Sequence, residues 1–145
     1  MKRILLSVGI GAALLAPMAA SAQDAWERQV RSQLTTMGQV FESRGYELTH
    51  RIYTGALDDG ESELVELDLA VGREYQIMGA CDEDCTDLDL TLLDGSGNVI
   101  DSDLLDDDYP VVSAVVSRSG TFRVRVSMAN CTSEPCRYGI GVFGR

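Results

Sequence analysis

Carboxylates dominate the middle of the chain. Eleven acidic residues and no basic residue lie between Asp82 and Asp108. Hard cations such as Ca²⁺ take about six to eight oxygen ligands in proteins, and this density of carboxylates could supply them once the chain has folded. The candidate calcium ligands are Asp87, Asp89, Asp101, Asp103 and Asp106. Apart from this candidate calcium, the sequence indicates no cofactor.

The spacing of these acids leaves a second interpretation open. An EF-hand loop has acids at alternate positions followed by a glycine and a glutamate at fixed places, and neither acidic segment has that pattern. Asp87 and Asp89 project from one face of a predicted strand, whereas the acids of residues 101–108 crowd a loop before Tyr109. The second interpretation is a solvated acidic rim that keeps the protein soluble.

Few other residues could do catalytic chemistry. His50 is the only histidine, and it alternates with Leu48 and Ile52 on the inward side of a predicted strand. A histidine there is more often packed or hydrogen-bonded than a general base. No serine lies in a Gly-x-Ser-x-Gly elbow, and Lys2 is the only lysine. Carboxylate chemistry of the glycosidase kind is the one route left open, so the sequence predicts that this protein is not an enzyme.

Residues 1–22 have the organisation of a cleavable secretory signal. A basic start, Lys2-Arg3, precedes an apolar stretch at 4–15, and Ala20 and Ala22 occupy the positions of an A-x-A-like cleavage site. The apolar run is shorter than the roughly 20 residues that span a bilayer, which disfavours a retained anchor. We expect a mature chain that begins at Gln23, that is periplasmic or secreted, and that does not insert in a membrane.

Signal cleavage would make an acidic chain more acidic. It would remove two basic residues and no acidic one, and so move the formal net charge from −11 to −13. Such a protein repels phosphate backbones and anionic lipid surfaces, which argues against nucleic acid or a membrane surface as partner. Residues 23–145 are enough for one domain with a closed hydrophobic core.

Four cysteines, Cys81, Cys85, Cys131 and Cys136, could pair in three ways. Export places them in a compartment where disulfides persist. The spacing favours two local bonds, Cys81–Cys85 and Cys131–Cys136, each closing a short loop at the end of a predicted strand. Crossed pairings are the alternative. A four-cysteine zinc site is disfavoured because the spacings exceed those of the usual zinc knuckle.

Residues 23–45 are predicted to form one amphipathic helix. Its apolar stripe consists of Trp26, Val30, Leu34 or Gln33, Met37 and Phe41, at spacings of three and four. Gly45 supplies the stop. A helix with one apolar face more often docks on its own domain than binds a partner, because that face needs a surface to cover it.

Residues 46–145 change to a period of two, which is typical of strands. About seven or eight short strands follow at intervals of roughly ten residues, bounded by turns such as Asp94–Asn98. Residues 46–52 alternate as expected for a strand, and Gly55 marks a turn. Val111–Val116 is an apolar run that could form a strand covered on both faces. This spacing predicts an all-β domain, an antiparallel β-sandwich preceded by the N-terminal helix.

Four motifs between about Arg51 and Phe143 carry a family resemblance. They are Gly55-Ala56-Leu57, Asp87-Leu88-Asp89-Leu90, Asp94 with Gly97, and Gly120-Thr121-Phe122-Arg123-Val124. In these motifs the segment resembles the bacterial pre-peptidase C-terminal domain. The resemblance implies a jelly-roll-like β-sandwich and an accessory role beside a protease or other secreted enzyme. No enzyme accompanies it in this sequence, and the two cysteine loops and the leading helix depart from the common pattern, so the resemblance names no ligand.

The sequence therefore predicts an exported, non-catalytic binding or accessory module of the periplasm or extracellular space. Its expected partner is a protein or a polysaccharide. Tyr109, in the acidic loop, is the one aromatic side chain that we expect to be exposed to such a partner. The alternatives are a calcium-stabilised structural protein of the envelope and, third, a small secreted hydrolase.

Overall fold

The computed structural model describes residues 19–145, with side chains from Ala25 onward, so most of the predicted signal sequence lies outside the described residues. One helix, α1 (Ala19–Glu42), precedes nine strands. The strands are β1 (Glu47–Leu48), β2 (Tyr53–Leu57), β3 (Ser62–Leu69), β4 (Glu74–Cys81), β5 (Cys85–Leu93), β6 (Val99–Asp103), β7 (Val111–Val115), β8 (Gly120–Cys131) and β9 (Cys136–Gly144). Over the described residues, no helix is long and apolar enough to cross a membrane.

The strands form two antiparallel sheets. In the first sheet, β9 pairs with β1 and β2 on one side and with β4 on the other, and β4 pairs with β7. The second sheet has the order β3-β8-β5-β6. An order of β2-β9-β4-β7 in one sheet and β3-β8-β5-β6 in the other is that of a jelly roll. The predicted fold class is therefore confirmed.

The main core lies between the two sheets and follows the period of two along each strand. Leu88, Leu90 and Leu92 of β5 are fully buried, while Asp89 and Thr91 between them are only partly covered. The matching residues of β8 and β9 are Val124, Val126, Met128, Tyr138, Ile140 and Val142, all of which belong to this core. Strict alternation places one face of each strand inside the sandwich.

A smaller core forms where α1 packs on the outer face of the first sheet. Val30 and Leu34 of the helix are fully buried there, with Met78, Ala80 and Phe143 of the sheet. The prediction that the helix covers its own domain is confirmed. The helix spans Ala19–Glu42 rather than residues 23–45, and Gly45 follows with a φ of 84°, the left-handed conformation that the predicted stop requires.

Glycines set how closely the helix approaches the sheet. Gly139 and Gly141 alternate on the outer face of β9, and a Cβ atom on Gly139 would lie 2.6 Å from Cγ1 of Val30. Gly38 allows the same close approach from the helix, since a Cβ atom there would lie 2.6 Å from Cζ of Phe143. Bare backbone at these three positions lets the apolar stripe rest directly on the sheet.

Two local predictions are wrong. Only Glu47 and Leu48 of the predicted strand 46–52 are in a strand. Leu48 lies opposite Phe143 and Tyr53 lies opposite Ile140. Residues 49–52 therefore lie opposite only two residues of β9 and bulge out of the sheet. Gly55 is inside β2 instead of a turn. A side chain at Gly55 would collide with the Tyr138 ring, since its Cβ would lie 2.6 Å from Cε1.

The strand β7 is also not covered on both faces as expected. Its residues alternate between buried and open positions, and Val115 is 80% exposed. The reason is its place at the edge of the sheet, beyond the helix, which packs mainly on β9 and β4. Tyr109, expected to be exposed, is partly buried against the smaller core, and its hydroxyl accepts a hydrogen bond from Nε2 of Gln33 at 3.0 Å.

Candidate protein-binding site

Four loops meet at one end of the sandwich, because each joins a strand of one sheet to a strand of the other sheet at the same end of the strands. They are β2–β3 (58–61), β4–β5 (82–84), β6–β7 (104–110) and β8–β9 (132–135). The pairs Leu57↔Cys136 and Cys85↔Cys131 place their strand ends side by side. We call this end of the molecule the acidic end.

The acidic end carries a dense set of carboxylates. Its four loops contain Asp58, Asp59, Glu61, Asp82, Glu83, Asp84, Asp106, Asp107, Asp108 and Glu134 and no basic residue. The closest base in sequence is Arg137, at the start of β9. The opposite end has the reverse composition. Its loops and the C-terminal residue hold Arg44, His50, Arg51, Arg73, Arg118 and Arg145, with Asp94 as their single acid. The charge of the loops is therefore segregated along the strand direction.

Both disulfides lie at the acidic end. Cys81–Cys85 closes the β4–β5 loop and Cys131–Cys136 closes the β8–β9 loop, which is the local pairing that the spacing favours. Since Cys85 and Cys131 are paired neighbours in β5 and β8, the two bonds brace adjacent loops. Short covalent loops of this kind restrict the conformations of the segments they close.

Hydrogen bonds also tie the loops to each other. The N–H of Cys131 donates to Oδ1 of Asp59 at 2.8 Å, and the N–H of Asp59 donates to Oε1 of Glu134 at 2.9 Å. The N–H of Thr132 donates to the carbonyl of Asp84 at 2.8 Å. Three of the four loops thus form one connected surface rather than three independent segments.

Asp82 is the only charged side chain that is buried among the described residues, with 3% of its surface exposed. Its Oδ2 accepts the N–H of Arg137 at 2.7 Å, whereas its Oδ1 has no hydrogen-bond partner. Burial raises the pKa of Asp82, and the charge of Asp84 adds to the rise. The carboxyl group anchors the β4–β5 loop to β9 at an electrostatic cost.

The predicted calcium ligands divide into two groups. Asp87 and Asp89 lie on β5 and are partly buried. Burial raises the pKa of both carboxyl groups. The charges of Asp106 and Asp107 raise the pKa of Asp87 further. The charges of Asp87 and Asp103 do the same for Asp89. These aspartates therefore lie close enough to repel one another.

Asp101 and Asp103, by contrast, have backbone partners. Oδ2 of Asp101 accepts the N–H of Ser113 at 2.8 Å, and Oδ2 of Asp103 accepts the N–H of Val111 at 2.9 Å. Asp106 is exposed in the β6–β7 loop. No group of three acidic, histidine or cysteine side chains within residues 25–145 converges in a way that could hold a metal ion. Calcium binding stays a prediction.

The single histidine lies far from the acidic end. Nδ1 of His50 is 2.8 Å from Oγ1 of Thr49, and Nε2 is 3.2 Å from the carbonyl of Asp68. Both contacts are those of a hydrogen-bonded surface residue. The Thr49 hydroxyl also donates to the carbonyl of Val142 at 3.1 Å, and no carboxylate side chain contacts the imidazole. Among residues 25–145 every aromatic side chain is buried or partly buried, and none is fully exposed.

Comparison with known proteins adds information at the level of the fold. No protein-family model matches the chain, and no curated protein matches its sequence. Among solved structures, the sandwich is similar to that of Aeromonas hydrophila PliG, a periplasmic lysozyme inhibitor of g-type lysozyme. The fold resembles that of an inhibitor. The TM-score is 0.51 at 10% identity, and the match covers 65% of this chain and 84% of PliG.

An identity this low supports a shared fold and nothing finer. The similarity does not bear on the pre-peptidase C-terminal family, and that resemblance stays a prediction. Sequence reasoning also missed part of the acidic end. Asp58, Asp59, Glu61 and Glu134 lie outside the acidic run that starts at Asp82, and only the strand order brings them to it.

Proposed function

We propose that this protein is an exported, non-catalytic binding domain that recognises a cationic protein, and that its partner is an enzyme of the lysozyme class. The observation that carries the proposal is the acidic end, whose four loops contain ten carboxylates, all but Asp82 at least partly exposed. Opposite charge across an interface steers association and selects against wrong partners. Loops that are already fixed lose less entropy on binding, and here two disulfides and the bonds between loops fix them.

The described chemistry favours binding over catalysis. A glycosidase needs two carboxyl groups that face each other across the bond to be cut. In this chain Asp101 and Asp103 are occupied by backbone amides, and Asp87 and Asp89 lie side by side on one strand. The absence of an exposed aromatic side chain among residues 25–145 disfavours a polysaccharide partner relative to a protein.

Export and the choice of partner have separate support. The predicted signal sequence and the two disulfides favour an oxidising compartment. The fold is that of a protein described as a periplasmic inhibitor of g-type lysozyme, which makes basic lysozymes the first partners to test.

The test is inhibition of peptidoglycan hydrolysis. The protein, secreted to the periplasm of an expression host, should slow the clearing of a cell-wall suspension by basic goose-type or chicken-type lysozymes, and inhibition should saturate at a stoichiometric ratio. It should weaken as salt rises, because exposed charges are screened. Absence of both inhibition and binding across the panel would refute the proposed partner class.

Two matched triple variants test whether the inhibition depends on the acidic end. Neutralising Asp58, Glu83 and Asp106 to their amides removes three exposed charges from the acidic end. Neutralising Glu42, Glu47 and Glu66 removes three exposed charges elsewhere. We expect the first variant to lose most of the inhibition and the second to retain it. Equal losses would indicate that only net charge matters.

A further inference from the structure

Two adjacent leucines stand out of the acidic end. Leu104 and Leu105, at the start of the β6–β7 loop, are 63% and 68% exposed, the largest values for any leucine among the described residues. Neither belongs to the core between the sheets or to the core under α1. Single exposed apolar residues are common, whereas an adjacent pair surrounded by carboxylates has no role in the packing of this fold.

The backbone that carries these leucines is held in place. The N–H of Leu105 donates to Oδ1 of Asp103 at 3.3 Å, and the carbonyl of Leu105 accepts the N–H of Asp107 at 2.8 Å. The carbonyl of Asp107 in turn accepts the N–H of Leu88 in β5 at 3.0 Å. The loop is therefore fastened to β5 and β6 of the second sheet, and the leucine side chains are presented to solvent from a fixed position.

We propose that Leu104 and Leu105 are the apolar anchor of the protein-binding surface at the acidic end, and that the partner has an apolar pocket rimmed by arginine or lysine. Binding energy at protein interfaces concentrates in a few central residues that are fully desolvated, while surrounding charges orient the partner. Here Asp103, Asp106 and Asp107 flank the pair along the chain. This inference rests on the proposed function and names the residues that determine its affinity.

The charge around the leucines favours a cationic protein over an anionic lipid surface or a second copy of this chain. An anionic lipid surface would be repelled by the aspartates that flank the leucines. A second copy bound through the same surface would bring two acidic ends together, because a two-fold interface uses the same patch on both subunits. A cationic protein gains both from burial of the leucines and from the carboxylates around them.

The test compares two double variants with the wild-type protein on an immobilised basic goose-type lysozyme and a basic chicken-type lysozyme. The first changes the anchor, Leu104→Ser with Leu105→Ser. The matched control, Leu48→Ser with Leu64→Ser, removes two leucines that are 44% and 48% exposed elsewhere on the surface. All four side chains are open to solvent, so both variants should keep the wild-type melting temperature, and loss of binding cannot then be ascribed to unfolding.

We expect the anchor variant to bind at least about tenfold more weakly, mainly through faster dissociation, and the control to bind as the wild type does. Anchor and control variants that both bind like the wild type overturn the anchor and leave the proposed function standing. A wild-type protein that binds neither lysozyme overturns the proposed function and the anchor together. A wild-type dimer that the anchor variant abolishes overturns the cationic partner in favour of a second copy.

Discussion

At the scale of single residues, Asp87 and Asp89 weaken the fold that they belong to. Burial and neighbouring aspartates raise the pKa of both carboxyl groups above the ordinary value of 3.8. Oδ1 of Asp87 is buried and has no partner. A group whose pKa rises on folding holds its proton more tightly in the folded state, so stability increases as pH falls through the shifted pKa toward 3.8.

The first prediction concerns this cost. Asp87→Asn and Asp89→Asn should each raise the melting temperature at pH 7 by a few degrees, because the amide carries no charge to desolvate or repel. The gain should shrink as pH falls toward 3.8, where the wild-type carboxyl groups become neutral in both states. Thermal unfolding followed by circular dichroism across this range measures it.

Asp94→Asn is the control of opposite sign. Hydrogen bonds from Asn98, and one from the N–H of Ser96, lower the pKa of Asp94. Its ionised form therefore stabilises the turn above pH 3.8, and that contribution is lost as pH falls below the ordinary value. The variant should lower the melting temperature at pH 7. The same direction of change in all three variants would contradict the assignment.

At the scale of elements, β6 protects the free edge of β7. Only one side of β7 is paired, and the carboxylates of Asp101 and Asp103 accept N–H groups of Ser113 and Val111 on the other. Unpaired strand edges are templates for association with other chains, and charged side chains are a common way to block them. Two of the predicted calcium ligands thus have a structural use within the described fold.

The second prediction follows from this contact. Asp101→Ala with Asp103→Ala should lower the free energy of unfolding by about 1–3 kcal/mol per lost carboxylate, since each leaves a partly buried amide without its acceptor. Urea denaturation measures the loss, and light scattering should show more association through the open edge. Asp106→Ala, which removes an exposed acid from the next loop, is the control and should change neither quantity.

The interface between α1 and β9 depends on the glycines, which leads to the third prediction. Gly139→Ala places a Cβ atom 2.6 Å from Cγ1 of Val30 and 3.1 Å from the carbonyl oxygen of Tyr53. The helix must move away, and we expect a loss of about 1–3 kcal/mol. Gly120→Ala, whose Cβ would meet nothing within 4 Å, should be neutral or slightly stabilising. Equal urea midpoints for the two variants would show that the helix docks loosely.

At the scale of the whole molecule, helix and sandwich are one folding unit. Val30 and Leu34 are fully buried against Met78 and Phe143, so the outer face of the first sheet is apolar under the helix. The fourth prediction is that a chain starting at Tyr46 does not fold to a stable monomer. Without the helix, the fold loses about 1.5–3 kcal/mol of stability for each large apolar side chain that is buried between helix and sheet. Dye binding to exposed apolar surface and size-exclusion chromatography test this.

Local pattern was enough to predict the helix and the class of sandwich, and it gave about seven or eight short strands where the described part of the chain has nine, because each depends on the period of hydrophobic residues in one segment. The bulge at 49–52 was not predictable, since it arises from the register between β9 and its two partners. The partners of Asp101 and Asp103 are backbone amides of a strand in the other sheet. Only the strand order reveals them, as it does the joining of Asp59 and Glu134 to the acidic end.

The segregation of charge between the two ends has a consequence for how the molecule moves. Acidic loops at one end and mostly basic loops at the other give the protein a dipole component along its strands. In the field of a positively charged protein it experiences a torque that turns the acidic end forward before contact, which raises the share of encounters that are productive. Beside an anionic bilayer the same torque turns the arginines toward the lipid. Under the proposed function, this orientation leaves Leu104 and Leu105 facing away from the membrane and accessible to a diffusing enzyme.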